Sequence, residues 1–396
     1  MEGIKDKVAI VGMGCTKFGE RWDKGVEDLI VEAAYEAFED AGIEPKDVQA
    51  AWIGTVFSGL SAITLSPLQL PYIPMTRVEN MCATGSEALR GACYAVAAGA
   101  CDVALAVGVE KLKDSGTTGV KGPSVVGDNQ DGSSGIGPGY SAPASFAYLA
   151  TRYFHDYNIK PEEGKRLLAQ ITVKNHHNGS LNPKAHFQNE LTVEQVVNAP
   201  IIAWPLGLFD CCGVSDGAAV AVVTRADMAR NFRDDPIYVK GMQIAVGARQ
   251  GALHQSYDFV HIEENVIGSR RAYEEAGVKN PRKEICMAEV HDCFSIHEMI
   301  VYEDLGFSPR GRARDDIEAG SFTLEGDLPV NTDGGLKCFG HPLGASGLRM
   351  MYEVYKQLQG KAGPRQVKNP RLGLTHNLGG NAGTGICSCL IVGNEK

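Results

Sequence analysis

Four short stretches of this chain gather residue types that do nucleophilic and proton-transfer chemistry. Cys82 lies in NMCATGS, directly ahead of a run of small and apolar residues that reads as a helix. A thiol at a helix start faces unpaired N–H groups and the positive end of the helix dipole, which favour the nucleophilic thiolate. A free cysteine taken alone is more often a small buried hydrophobe. Thr84 and Gly85, however, leave room for a second backbone or a substrate, which a packed core does not need. His341 stands in the glycine-rich turn GGLKCFGHPLGASG (334–347), again just before a helix start. His291, Asp292 and Cys293 crowd the end of an apolar run in EVHDCF, a set suited to metal ligation or to proton transfer. Neither a Cys-x-x-Cys nor a His-Glu-x-x-His spacing supports zinc there, and Cys211-Cys212 and Cys387-Ser388-Cys389 lack ligand spacing too, so no metal is expected. In HNLGGNAG (376–383), the paired glycines suit a loop presenting backbone N–H groups to an oxyanion.

The elements that must position these groups alternate. An apolar strand at 8–11 precedes a helix at 26–41, whose Leu29, Ile30, Ala33, Ala34, Ala37 and Phe38 share one face and whose stop is Gly42. A strand at 48–56, a helix at 86–98 and a strand at 103–109 follow, a pattern that predicts α/β layers. The pattern is duplicated. AFEDAGI (37–43) recurs as AYEEAGV (272–278), and each copy leads to an apolar strand, 48–56 and 285–290. Each then reaches a small-residue helix start, at Ala83-Thr84-Gly85 and at Ala345-Ser346-Gly347, and each closes on a strand, 103–109 matching 386–392. Two α/β halves, 1–112 and 206–396, flank a segment at 113–205. Within it the Gly-, Ser-, Thr- and Asp-rich stretch 114–141 predicts a loop over the substrate, and 146–157 and 165–178 predict helices. Cys82 and His341 occupy duplicate positions. If a pseudo-twofold axis relates the halves, thiol and imidazole meet at the interface as an activated-nucleophile pair.

Composition removes other classes. Of 396 residues 47 are glycine, above the usual ~7%, but no Gly-X-Y period is present, so a collagen-like chain is excluded. With 44% hydrophobic and 22% charged residues the chain buries a large core. Eleven scattered cysteines, an odd number, and an N-terminus without an apolar signal core point to the reducing cytoplasm rather than a disulfide framework. No apolar run reaches the ~18 residues that span a membrane. A net charge of −10 argues against nucleic acid.

Taken together, NMCATGS, HDCF, GGLKCFGHPLGASG and HNLGGNAG resemble the thiolase superfamily, and within it the sterol-carrier-protein type with its bacterial and archaeal acetyl-CoA acetyltransferase-like relatives. The resemblance extends to NPKAHF (182–187) and DGAAVAVV (216–223) and so covers essentially the whole chain. It implies two βαβαβαββ halves in a five-layer α-β-α-β-α body with an inserted loop domain. It further implies that Cys82 takes the acyl group from a CoA thioester, and that His341 activates Cys82 and donates to one oxyanion hole. His291 stands where degradative thiolases carry the Asn of Asn-Glu-Ala-Phe, and Asn377 where they carry a second cysteine. The Cys293 thiol then supplies the missing acid/base on the α-carbon. The other oxyanion hole falls to the N–H groups of Cys82 and Gly379, and Ser346 and Gly380 are expected to contact substrate. Coenzyme A is expected as a substrate, with no permanently bound cofactor. The implied partners are a second copy, as a homodimer or dimer of dimers, and a small zinc-ribbon and OB-fold protein. Acetoacetyl-CoA is the default substrate, with a bulkier and even aromatic 3-oxoacyl-CoA such as benzoylsuccinyl-CoA open. A ketoacyl-synthase-like or hydroxymethylglutaryl-CoA-synthase-like condensing enzyme and a non-catalytic CoA- or lipid-binding scaffold are the competing readings.

Overall fold

The repeated heptapeptide ends a helix in both copies. Helix α1 spans Val26–Ala41, as the apolar spacing predicts, and Gly42 caps it in the left-handed conformation at φ 68°. Its counterpart, Glu263–Ala276, is capped by Gly277 at φ 82°. Both glycines are there because that backbone conformation strains any residue with a Cβ. The computed structural model describes residues 3–59, 61–70, 72–115, 141–250 and 257–396. Most of the glycine-rich stretch at 114–141, expected to cover the substrate, lies outside the described residues.

The strands of the central sheet are β1 (Val8–Cys15), β2 (Ala50–Gly54), β3 (Met75–Val78), β4 (Val103–Glu110), β5 (Gly217–Arg225), β6 (Ile237–Val246), β7 (Met287–Glu289), β8 (Leu372–Gly379) and β9 (Ile386–Gly393). They are hydrogen-bonded in the order β3-β2-β4-β5-β1-β6-β9-β8-β7. The centre of symmetry is the short antiparallel pairing of β1 with β6, Ala9 opposite Tyr238 and Ile10 opposite Ile237. On either side the order and sense repeat: β5 and β9 pair antiparallel with β4 and β8, which pair parallel with β2 and β7.

This symmetry corrects two expectations. The counterpart of strand 103–109 is β8, and the strand at 386–392 answers to β5. In the second half the last two strands form a tight hairpin across 380–385, whereas in the first the excursion from 111 to 216 separates β4 from β5. A reading in chain order therefore mistook the final strand for the partner of β4. Strand β5 groups with the first half, and the division expected at 206 moves to the stretch between β5 and β6.

The helices that build the layers and the site are α1, α2 (Thr84–Ala97), α3 (Ala142–Asp156), α4 (Pro161–Ser180), α5 (Glu263–Ala276), α6 (Ser295–Asp304), α7 (Gly335–Cys338) and α8 (Leu343–Leu358). Helix α1 covers one face of the first half-sheet and α5 one face of the second, while α2 and α8 pack together between them. That gives five layers. Side chains of β5 show the alternation this requires: Ala218, Val220 and Val222 face the α1 side, and Ala219, Ala221 and Val223 face the central layer. Among the described residues no helix is long and apolar enough to cross a membrane.

Candidate active site

Cys82 sits on a sharp turn between β3 and α2. Met81 is held at φ 52°, uncommon for a residue with a side chain. The Asn80 N–H donates to Thr84 Oγ1 at 2.9 Å, and that hydroxyl donates to the Met81 carbonyl. The turn leaves Cys82 partly exposed, just ahead of the buried Ala83 and Thr84.

His341 precedes α8, and the α2–α8 crossing brings the two helix starts together. A Cβ on Gly85 would lie 2.8 Å from the Gly344 carbonyl oxygen, and one on Gly347 would lie 2.5 Å from the Ser86 nitrogen. Backbone touches backbone there. His341 Nδ1 lies 2.7 Å from Ser346 Oγ, and because the hydroxyl's one proton goes to the Pro342 carbonyl at 2.9 Å, the ring nitrogen is assigned as the donor. With the proton on Nδ1, buried Nε2, which has no hydrogen-bond partner among the described residues, is left with its lone pair. One ring nitrogen of His341, one of His291 and Cys82 Sγ lie within 4.8 Å of one another.

Burial decides the protonation states. It holds the His341 ring down at about 3, with the Arg349 charge adding to the effect, so the resting imidazole is neutral. It pushes the Cys82 thiol up to about 12, against the Gly380 N–H that stabilises the thiolate and with the Glu110 charge, which disfavours it. Desolvation thus opposes the helix start, whose dipole and N–H groups favour the thiolate, and tilts the balance at Cys82 toward the thiol.

The HDCF turn completes the cluster. His291 is fully enclosed, and its ring centroid lies 5.2 Å from that of His341. Asn377, where a second cysteine stands in the implied pattern, accepts from Ser86 Oγ at 2.8 Å through Oδ1. That orients its amide so that Nδ2 approaches His291 Nδ1 at 3.4 Å. Cys293 is buried, its thiol pushed up by desolvation, and its carbonyl accepts from Cys212 N–H at 2.9 Å. Asp292 is a structural anchor, accepting from the N–H groups of Leu336 (2.6 Å) and Lys337 (3.2 Å) and from Asn175 (2.9 Å). Those contacts tie HDCF to the segment that leads into His341.

Gly379 ends β8 against the Cys82 turn, where a Cβ would come within 2.4 Å of the Asn80 carbonyl oxygen and 3.2 Å of Cys82 N. Gly380 follows at φ 87°. Two features escaped sequence reasoning. Glu110, fully buried at the end of β4, accepts from Thr55 Oγ1, from the N–H groups of Val56, Phe57 and Ser58, and from Gly344 N–H at 3.1 Å. It pins the start of α8 to the first half, yet alone in GVEKLKD it reads as an ordinary charged residue. Lys337, also buried, donates to the carbonyls of Asp210 (2.9 Å) and Asp292 (3.1 Å).

A five-layer duplicated body with a thiol and an imidazole at paired helix starts defines an acyl-transferring condensing-enzyme class. The comparisons narrow it. Residues 8–227 match the thiolase N-terminal domain and 245–391 the thiolase C-terminal domain-like family. The chain is 42% identical over 384 residues to an acetyl-CoA acetyltransferase of Methanothermobacter thermautotrophicus, covering 95% of this chain and 97% of that one. It is 34% identical to sterol carrier protein 2 of Bos taurus (95% and 70% covered) and 32% identical to the benzoylsuccinyl-CoA thiolase subunit BbsB of Thauera aromatica (98% and 99% covered). The solved Ltp2-ChsH2(DUF35) aldolase superposes with a TM-score of 0.86 at 27% identity, covering 99% of both chains. The chain belongs to the thiolase family and is an acyltransferase of that type.

Proposed function

We propose that this protein exchanges acyl groups between a 3-oxoacyl-CoA and coenzyme A through an acyl-Cys82 intermediate. The observation that carries the reading is the cluster of Cys82 Sγ with His291 and His341, in which Ser346 orients His341 so that a free, neutral Nε2 is the proton acceptor. Cys82 Sγ attacks the 3-keto carbon as His341 Nε2 takes its proton. The bond to the α-carbon breaks, Cys293 S–H protonates that carbon, and acetyl-CoA or its homologue leaves. The Cys293 thiolate then takes the S–H proton of free CoA, whose sulfur attacks the thioester and forms an acyl-CoA while His341 returns its proton to the departing Cys82 sulfur. In reverse, Cys293 removes an α-proton and a Claisen condensation follows; acid/base groups of this kind contribute about 10²- to 10⁴-fold. His291 and His341 serve one oxyanion, and the N–H groups beside Cys82 and at Gly379–Gly380 serve the other. Coenzyme A is consumed as a substrate rather than held as a cofactor.

Acetoacetyl-CoA is the first substrate to try, and the resemblance to a benzoylsuccinyl-CoA thiolase subunit supports an aromatic alternative. A CoA-dependent cleavage assay across short, branched and aromatic 3-oxoacyl-CoAs, with mass spectrometry of the Cys82 peptide, tests the reading. No acyl-Cys82 with any of them defeats it in favour of a scaffold. One observation favours a second reading: Cys82, His291 and His341 form the thiol-and-two-imidazole set of a decarboxylating condensing enzyme. Turnover of a malonyl thioester without 3-oxoacyl cleavage would select it, and Cys293 beside His291 argues for cleavage. A small zinc-ribbon partner is supported by the similarity to a protein solved as a complex, and is tested by co-purification. The open edge of β3, with exposed Tyr72 just ahead of it, supports a homodimer, and the eleven free cysteines support a cytoplasmic setting.

A further inference from the structure

Behind His291 lies a second group of ligating atoms. One nitrogen of His291, Cys293 Sγ and one nitrogen of His297 lie within 4.8 Å of one another. His297, on α6, is fully buried, and neither of its ring nitrogens has a hydrogen-bond partner among the described residues. Its ring centroid is 5.3 Å from those of Phe146 and His291. The neighbouring His376 cannot satisfy it, because His376 accepts from the His291 N–H and donates to Asn265 Oδ1 at 2.9 Å. A poorly paired buried polar group costs about 1–3 kcal/mol, and the His291 backbone can engage only one of the two ring nitrogens, so at least one is left for a ligand. The donor set, two imidazoles and a thiol without a carboxylate, suits a borderline-soft cation and not Mg²⁺ or Ca²⁺.

We propose that His291, Cys293 and His297 form a site for a zinc-class divalent cation, and that its occupation silences acyl transfer. With Zn–N about 2.0 Å and Zn–S about 2.3 Å, ligand atoms on one tetrahedral ion are separated by roughly 3.3–3.8 Å. The three ligand atoms, now within 4.8 Å of one another, must draw together by about 1 Å to reach that spacing. On binding, the Cys293 S–H bond breaks, the proton passes to solvent, and the sulfur donates its electron pair to the ion, so one proton is released per ion. The ion then holds the thiol that works on the α-carbon. The inhibition rests on the function proposed above; the binding does not.

The test uses the full-length protein stripped with a chelator and titrated with Zn²⁺ by calorimetry in buffers of different protonation enthalpy, with Co²⁺ as a spectroscopic probe of sulfur ligation. His297→Asn leaves the acyl-transfer groups in place, and Cys82→Ala controls for the rival set of Cys82, His291 and His341. One ion per chain is expected, with one proton released, unchanged in Cys82→Ala and weakened at least about tenfold in His297→Asn, as even the loss of an outer-shell partner costs about 10–100-fold. His297→Asn is expected to keep thiolysis and to lose its sensitivity to Zn²⁺. Equal affinity of His297→Asn and the unmodified chain overturns the site, as does binding lost only in Cys82→Ala. Zinc binding without thiolysis of any 3-oxoacyl-CoA would leave the site standing and sink the function instead.

Discussion

The side chains of His341 and Ser346 meet at 2.7 Å, and Ser346 passes the hydrogen bond on to the Pro342 carbonyl. One turn of α8 thereby selects the tautomer of the base that precedes it. Ser346→Ala keeps the imidazole and loses the selection. We expect kcat for thiolysis to fall about tenfold, the value of one hydrogen bond of roughly 1.4 kcal/mol. His341→Ala should cost about 10²- to 10⁴-fold. Equal losses in the two variants would contradict the tautomer argument.

Desolvation favours the thiol form of Cys82 over the thiolate. Burial raises it from 9.0 to about 12, so the thiolate is scarce at neutral pH. The rate of alkylation by iodoacetamide without substrate should climb about tenfold per pH unit between pH 7 and 10. A plateau below pH 9 would show that the thiolate is preformed.

Glu110 bears on both stability and reactivity. Replacing it with Gln turns an NH₂ toward N–H donors that faced a carboxylate, which should cost about 2–3 kcal/mol in urea unfolding. It also removes one of the charges that raise Cys82. The alkylation profile of Glu110→Gln should therefore move to lower pH, an outcome that a purely structural role does not produce.

Gly379→Ala places a methyl group 2.4 Å from the Asn80 carbonyl oxygen. The backbone has nowhere to go except away from Cys82. The variant should remain folded by circular dichroism while losing about 10²-fold or more in kcat, the penalty for an absent oxyanion donor.

Burial holds His297 well below its ordinary 6.5. Above pH 6.5 the ring is neutral both folded and unfolded. Below it the unfolded ring takes a proton that the folded one refuses, so stability falls as pH drops. In metal-free protein, His297→Asn should flatten the pH dependence of the unfolding free energy between pH 6 and 4 by about 1.4 kcal/mol per pH unit. An unchanged slope would mean that the buried ring protonates in the native state.

Much of the architecture was legible because it was written twice. AFEDAGI and AYEEAGV set the helix stops at Gly42 and Gly277, and the paired helix starts placed Cys82 and His341 before any coordinates. The closing strands were misassigned because similarity in chain order cannot see that one hairpin is tight and the other is split by an excursion of about a hundred residues. In the site, motif residues could be named, but the resting state of Cys82 depends on desolvation, which a sequence does not display. Glu110 and His297 were missed for the same reason. Each is an unremarkable letter until the fold buries it, one among five donors and the other against the rings of Phe146 and His291.

The contact of α2 with α8 is built from Gly85, Gly344 and Gly347, with Gly108 beneath, where a Cβ would lie 2.3 Å from the Gly344 carbonyl oxygen. Hydrogen atoms are the only spacers between the two repeats at this point. The gap between nucleophile and base is therefore gauged by the missing side chains of residues that never touch a substrate, and a single methyl group inserted there would lengthen the catalytic stroke without altering one reacting atom.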